Sequence, residues 1–473
     1  MVPGLRNQQP AANHEDRMPG GKSPFARKRL RPPKTGKIRA KVRVPPKAGS
    51  NPMGRKRNRP MKRTRCKAYF SPVLSSLLIF FLAAVSFAAP GQALLNRAKQ
   101  LQEDLLQDLE TLVNIDSPSG YGAGSERIMI FLSEKLRALG GKVEILAVPK
   151  GAGYNLSSAF QGSGKGRILL LAHSDTVFKV GTAGERPFRV AQGKAFGPGV
   201  ADNKGGIAAG LYALKLLQER GFKDFGLITF LINCDEEIGS PSSRELIKSL
   251  AREHDYVICL EGGRQNDGLV NWRKGTARIV VEVKGRASHA GNAPESGVNA
   301  LLELAHQVLQ LRKLEDKEKK TTVNFSVFQS GDKLNVIPDY AVARADMRAL
   351  YAEEFARVEK SGLEIVKNRL HPDSEVRFTL TPGRPPFPPN EKTDALVAKA
   401  RGIYQEIGRS LKVSGSGGAS DANYTALIGT PTLDSMGLAG GKSHTADEYV
   451  ELDKIPPRLY LLTRMLMELG AQK

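Results

Sequence analysis

Cysteine is scarce: the 473 residues hold three. Cys66 lies in a basic stretch ahead of an apolar run, and Cys234 and Cys259 each stand near the end of an apolar segment. Two such cysteines make no disulfide framework, so a body of this length is expected to rely on its own hydrophobic core. Both read as buried thiols, with a bond between neighbouring strand ends left open. There is also no internal repeat, which argues against a stacked-repeat architecture. Acidic residues are nearly missing from residues 1–93, where Glu15 and Asp16 face 21 Lys and Arg. The other 380 residues carry 50 basic against 46 acidic side chains, a net +4, so the whole-chain charge of +23 belongs to the N-terminal stretch.

Residues 1–60 are rich in Pro, Gly, Lys and Arg, as in ARKRLRPPKTGKIRAKVRVPPK, and lack hydrophobic periodicity, which predicts disorder. A basic tail of this kind suits nucleic acid or anionic lipid, so a nucleic-acid-binding protein acting through residues 1–60 is one competing reading. The next segment favours another. SPVLSSLLIFFLAAVSFAA (71–89) is uncharged, follows MKRTRCK (61–67) and ends in small residues, the pattern of a secretory signal over residues 61–93. Ser86 with Ala88, or Gly91 with Ala93, supply the small residues that cleavage requires, so the mature chain is expected to start near 89 or 94, in the periplasm or outside the cell. Translation from Met61 would make residues 1–60 an over-extended reading frame. A retained segment would be a membrane anchor, since 19 apolar residues can just span a bilayer.

Beyond residue 94 the pattern is helical to 139, with a break at DSPSGYGAGSE. KVEILAV, RILLLAHSD, LITFLINCDEE and YVICLEGG then alternate with helical stretches at 205–219 and 243–253, the order of a largely parallel sheet covered by helices. After Lys274 the texture changes. ARIVVEVKGR, TTVNFSVFQSG and YAVARADMRAL alternate apolar and polar residues, with helices expected at 298–312 and 352–368. A strand, helix, strand, strand, helix, strand order predicts a smaller α+β, ferredoxin-like domain over 276–384, inserted between 94–275 and 385–473 of an α/β domain. GRPPFPPN (383–390) reads as the return linker, and 414–423 as a Gly/Ser-rich loop.

The strand RILLLAH ends on His173, with Asp175 two positions on, and strand ends are where ligands sit in open α/β sheets. Other carboxylates and imidazoles stand at comparable places: Asp202 in FGPGVADNKGG, Asp235, Glu236 and Glu237 in INCDEEIGS, Glu261 in CLEGG and His444 in GGKSHTADEY. Singly, each could be a helix N-cap or a polar strand end. Together they supply two histidines, one carboxylate for each of two metals and one to share, a mixed N/O set that suits zinc.

These motifs, with GRASHAGNAPESGVNAL, LNVIPDYAVARADMR and IPPRLYLLTRMLMELGA, resemble the di-zinc metallopeptidase family of glutamate carboxypeptidase, aminoacylase and succinyl-diaminopimelate desuccinylase over 95–473. The resemblance implies a zinc-peptidase catalytic domain with an inserted dimerisation domain and two Zn2+ per subunit. His173, Asp202 and Glu261 would hold one, and Asp202, Glu237 and His444 the other. A shared carboxylate suits two cations about 3.5–4 Å apart. Asp175 would fix the His173 tautomer, and Glu236 would act as general base. The resemblance further implies that His289 reaches the neighbouring subunit's site of a homodimer to stabilise an oxyanion. Asn335 and Arg348 would contact the substrate carboxylate, with Arg384 assisting and Gly418 in a substrate loop whose backbone binds anions. In that loop Ala419 stands where close family members have glycine. The expected activity is an exported zinc carboxypeptidase that cleaves an amide beside a free carboxylate and releases glutamate or a similar residue. The alternative is an N-acyl-amino-acid deacylase. Expected partners are a small peptide-like or N-acyl substrate and a second copy of the chain, with no nucleic acid and no membrane unless the signal is retained.

Overall fold

The computed structural model describes residues 89–149, 152–265 and 267–472. The basic tail and the apolar run to residue 88 lie outside them, and with them the expected signal and anchor. No helix among the described residues is long and apolar enough to cross a membrane.

The chain opens on helices α1 (Ala89–Gln100), α2 (Gln102–Val113) and α3 (Gly122–Ala138). β1 (Lys142–Ala147), β2 (Tyr154–Gln161), β3 (Arg167–His173), α4 (Lys204–Glu219), β4 (Leu227–Asn233), α5 (Arg244–Glu253), β5 (Tyr256–Cys259) and β6 (Gly268–Arg273) follow. Next come β7 (Gly275–Lys284), α6 (Ala300–Leu311), β8 (Thr322–Ser330), β9 (Tyr340–Ala349), α7 (Glu353–Ile365) and β10 (Glu375–Pro382). The last stretch holds α8 (Glu391–Gln405), β11 (Lys412–Ser416), α9 (Ala422–Ile428), β12 (Thr432–Leu433) and α10 (Ile455–Gly470).

The main sheet runs β1-β2-β4-β3-β5-β12. Its last four strands are parallel, and β1 and β2 form an antiparallel edge. β3 has neighbours on both sides and helices on both faces, which is why its run from Ile168 to Ala172 is apolar without alternation. Leu170 packs toward α1, α2, α4 and α10, whereas Leu169 and Leu171 join Ile247 of α5 and Tyr424 of α9. Each such buried side chain contributes on the order of 1.5–3 kcal/mol. Because β3, β4 and β5 run the same way, their carboxyl ends open at one edge.

The second sheet runs β8-β9-β7-β10, antiparallel throughout. Ile279, Val281 and Val283 of β7 are buried in its own core with Leu304 of α6 and Val358 of α7, while Arg278 faces outward. The order of elements is the ferredoxin-like one. Two chain crossings join it to the first domain side by side. Arg273 and Phe387 exchange backbone hydrogen bonds of 2.8 and 2.9 Å, and Thr276 does the same with Arg384 and Gly383.

Three details differ from the sequence reading. β2 (YNLSSAFQ) carries no strand signal in the sequence because serines interrupt its apolar pattern. Part of the expected loop at 414–423 is strand β11, parallel to β6, and a Cβ on Gly415 would meet the Trp272 indole at 1.6 Å. Helix α1 begins at Ala89, ahead of the residue 94 from which the helical pattern is read, and Leu94 and Ala98 bury it against the core. The cysteines are free and buried. β3 lies between their strands, so they stand about two strand spacings apart, roughly 9–10 Å, beyond disulfide reach.

Candidate active site

His173 leaves β3 with its Nε2 3.2 Å from Asp202 Oδ1 and 3.6 Å from Glu261 Oε1, which follows β5. Asp202 turns its other oxygen to His444 Nε2 at 3.2 Å, and Glu237 Oε2 lies 3.2 Å from the same nitrogen. The structure thus brings the five expected ligands into two groups of three that share Asp202. Ligand atoms of His173, Asp202 and Glu237 lie within 4.8 Å of one another. His444 adopts φ 65°, a left-handed conformation uncommon for a residue with a Cβ, at the rim of the cleft.

Asp175 supports both sides of this arrangement. Its Oδ1 is 3.3 Å from His173 Nδ1, and its carboxylate accepts the backbone N–H groups of Glu236 and Glu237, each at 3.1 Å. One buried carboxylate therefore orients the imidazole and the turn that carries two further carboxylates. The Asp202 loop is fixed by Glu448, which accepts from the N–H groups of Gly199, Ala201 and Asp202 at 3.1, 2.8 and 2.9 Å. Below it, α4 starts tightly under β5: a Cβ on Gly206 would meet the Leu260 carbonyl at 2.0 Å.

Burial pushes Glu261 up to about 7 with help from the Asp202 carboxylate, and pushes Glu448 up to about 7 as well. Burial lifts Glu236 well above the usual carboxylate range despite the nearby Arg384 guanidinium. Hydrogen bonds to Asp202 and Glu237 draw His444 up to about 11. His173 is raised too: burial opposes its charge, but Asp175, Asp202, Glu236 and Glu261 together outweigh it. Four carboxylates (Asp202, Glu236, Glu237 and Glu261) thus crowd a space that demands positive charge, and Glu237 Oε1 is buried without a hydrogen-bond donor. Imidazole and carboxylate donors with an orphaned oxygen among them fit a divalent cation.

The cleft encloses about 1290 Å3 between these strand ends and the outer face of the inserted sheet. Glu236 faces it, and so do Arg348, Arg384 and Gly418. Arg384 is buried and not a solvated linker side chain. Its guanidinium is 2.9 Å from Glu236 Oε1, donates to the Glu236 carbonyl at 2.6 Å and lies 3.1 Å from Asp421. Arg348 bonds Asp346 at 2.8 Å and approaches the Gly417 carbonyl at 3.5 Å. His289 and Asn335 are not brought to this cleft. They lie together where Ser288–His289 pairs with Val336–Ile337, and the Asn335 carbonyl accepts from Ala290 N–H at 3.0 Å. Sequence reading missed Glu448, four residues after His444, and the buried pair Arg273 and Asp434, in which Arg273 lies 3.9 Å from Glu261 Oε2 and donates to the Gly418 carbonyl at 3.3 Å.

The family model described as peptidase family M20/M25/M40 matches residues 169–468. The chain belongs to that family. Carboxypeptidase G2 of Pseudomonas sp. (strain RS-16) is 39% identical over 409 residues, covering 85% of this chain and 98% of that protein. Acetylornithine deacetylase of Aliivibrio salmonicida (strain LFI1238) is 26% identical, covering 77% and 97%. The crystal structure of aminopeptidase PepT from Bacillus cereus ATCC 10987 superposes with a TM-score of 0.65 at 25% identity, over 78% of this chain and 98% of that one. The protein is accordingly a metallopeptidase, with the α/β catalytic and inserted α+β domains of its family.

Proposed function

We propose that the protein is an exported carboxypeptidase that removes a C-terminal glutamate or similar amino acid from a small peptide-like substrate. The observation that carries this reading is the pairing of the shared-carboxylate cluster with a buried Glu236 at the edge of the same cleft. His173, Asp202 and Glu261 would hold one zinc, and Asp202, Glu237 and His444 the second. When bound, such cations supply Lewis acidity, polarising a scissile carbonyl and making water ionisable near neutral pH.

Glu236 takes the proton from the attacking water and delivers it to the leaving nitrogen. Its raised pKa suits both halves of that transfer. Arg384 holds it through one carboxylate oxygen and its own backbone carbonyl, so the carboxylate keeps its aim while the proton moves. Arg348, on the roof, receives the substrate's free carboxylate, and Gly418 offers backbone beside it. His289 Nδ1 accepts the N–H groups of Gly291 and Asn292, each at 3.1 Å, which leaves Nε2 to carry the proton of the neutral ring, and the residue does not line its own cleft. That exposed place outside the cleft supports service to a partner subunit, with Asn335 beside it.

The test is a substrate panel with zinc-loaded protein: pteroyl-glutamate, dipeptides and N-acetyl amino acids. Release of C-terminal glutamate as the fastest reaction is expected. Hydrolysis of N-acetyl amino acids alone would make the protein a deacylase instead, in line with its deacetylase relatives. Export is tested by the N-terminus of the mature protein, and persistence of residues 1–60 would overturn it.

A further inference from the structure

The outer face of the inserted sheet carries charge that the hydrolysis above leaves unused. Burial alternates along β7 and β9, so Ala277, Ile279, Ala345 and Met347 turn to the helices while Arg278, Arg344 and Arg348 turn to the cleft. Register sets their spacing. Arg278 pairs with Asp346, midway along β9 between Arg344 and Arg348. Two strand residues span about 6.8 Å, so the three arginine positions step along the roof at roughly that interval, Arg278 from the neighbouring strand.

Little compensates them. Asp346 is engaged by Arg348, and Arg344 reaches the Gln329 amide oxygen at 3.3 Å. This leaves Arg278 without an acidic partner among the described residues. The acidic floor opposite, Asp202, Glu237 and Glu261, is the set that divalent cations would neutralise. The field of the roof is also felt by Lys274, whose ammonium is held below its usual range by burial, then by Lys320 and Arg348.

We propose that Arg278 and Arg344 form a second anion subsite, which favours substrates with acidic side chains upstream of the scissile bond. The class of ligand is a short acidic peptide. Side chains on one edge of an extended peptide recur about every 6.8 Å, the same step as the arginines. The inference rests on the carboxypeptidase reading, in which Arg348 takes the terminal carboxylate.

The experiment compares blocked Glu-Glu-Glu with blocked Ala-Ala-Glu on the metal-loaded enzyme, measuring kcat/KM and, by calorimetry, binding of each peptide. The wild type is expected to prefer the acidic peptide about tenfold or more at low salt, and less as salt screens the exposed roof. Arg278→Gln and Arg344→Gln should each cut that ratio about fivefold, and the double variant should remove it, while Arg344→Lys keeps most of it. If neither peptide is cut yet the binding preference follows the two arginines, the carboxypeptidase reading fails and the subsite stands. Equal binding of both peptides by the wild type, or an unchanged preference in the double variant, overturns the subsite.

Discussion

Glu236 and Arg384 stand 2.9 Å apart, both nearly buried, and this pair concentrates the tension of the site. Burial lifts the carboxyl while the guanidinium pulls it down, and burial prevails. A proton shuttle in that position can lose its carboxylate without disturbing the expected ligands around it. Glu236→Gln should therefore retain metal by elemental analysis and lose on the order of 10²–10⁴-fold in turnover. Turnover near the wild-type level with metal retained would remove Glu236 from the reaction. Asp202 behaves differently because each of its oxygens serves a different histidine. Asp202→Ala should lower the metal content of both positions at once, and full retention at either would break the sharing argument. At Arg348 the fork matters as well as the charge, so activity on a free-acid substrate should fall in the order Arg, Lys, Ala, with the alanine variant down roughly ten- to a hundredfold. An equal loss on an amidated substrate would mean that Arg348 acts through folding.

Helix α5 shows how an element is tied to the sheet by a group outside the chemistry. His254 follows its last turn, with Nδ1 2.7 Å from the Leu250 carbonyl and Nε2 2.8 Å from Thr229 Oγ1 on β4. Nδ1 donates to the carbonyl, the Thr229 hydroxyl can donate to Nε2 of the neutral ring, and burial favours that form by holding the pKa below the ordinary value. The folded-state pKa is depressed, so the unfolded chain binds the proton more readily as pH falls below about 6.5. The contribution of His254 is thus present above that pH and lost below it. The Tm advantage of wild type over His254→Gln should shrink between pH 8 and pH 5, and an advantage that grows on acidification would reverse the assignment. At this scale the sequence was legible where function and pattern coincide. β3, β4 and β5 are apolar runs that end at or just before the expected ligands, and parallel strands carry their ends to one edge without further information. What stayed illegible joins distant segments: Glu448 to the Asp202 loop, Arg384 to Glu236, Arg273 to Asp434. No local period encodes such contacts, and an arginine in a proline-rich stretch looks solvated until the two crossings at 273–276 and 383–387 are seen to lie beside the cleft.

For the whole molecule the informative fact is an absence from the cleft. His289 is exposed, its Nδ1 saturated by two backbone N–H groups, and it does not line the cavity that holds Glu236. The inserted domain also exposes Leu302, Leu309, Phe328 and Leu334, apolar surface of the kind that a second copy could cover. If His289 works in a partner's cleft, each site draws its base from one chain and its oxyanion donor from the other. Glu236→Gln and His289→Ala proteins should then each be inactive alone. A mixed dimer contains one site with both an intact Glu236 and an intact His289 from across the interface, and one site with neither. Random exchange of equal amounts makes half the dimers mixed, each with one working site in two, so activity should rise to about a quarter of the wild-type value. Mixing without subunit exchange gives no rise, which serves as the control. If exchange is demonstrated by labelled subunits and activity still does not return, His289 acts within its own chain or not at all.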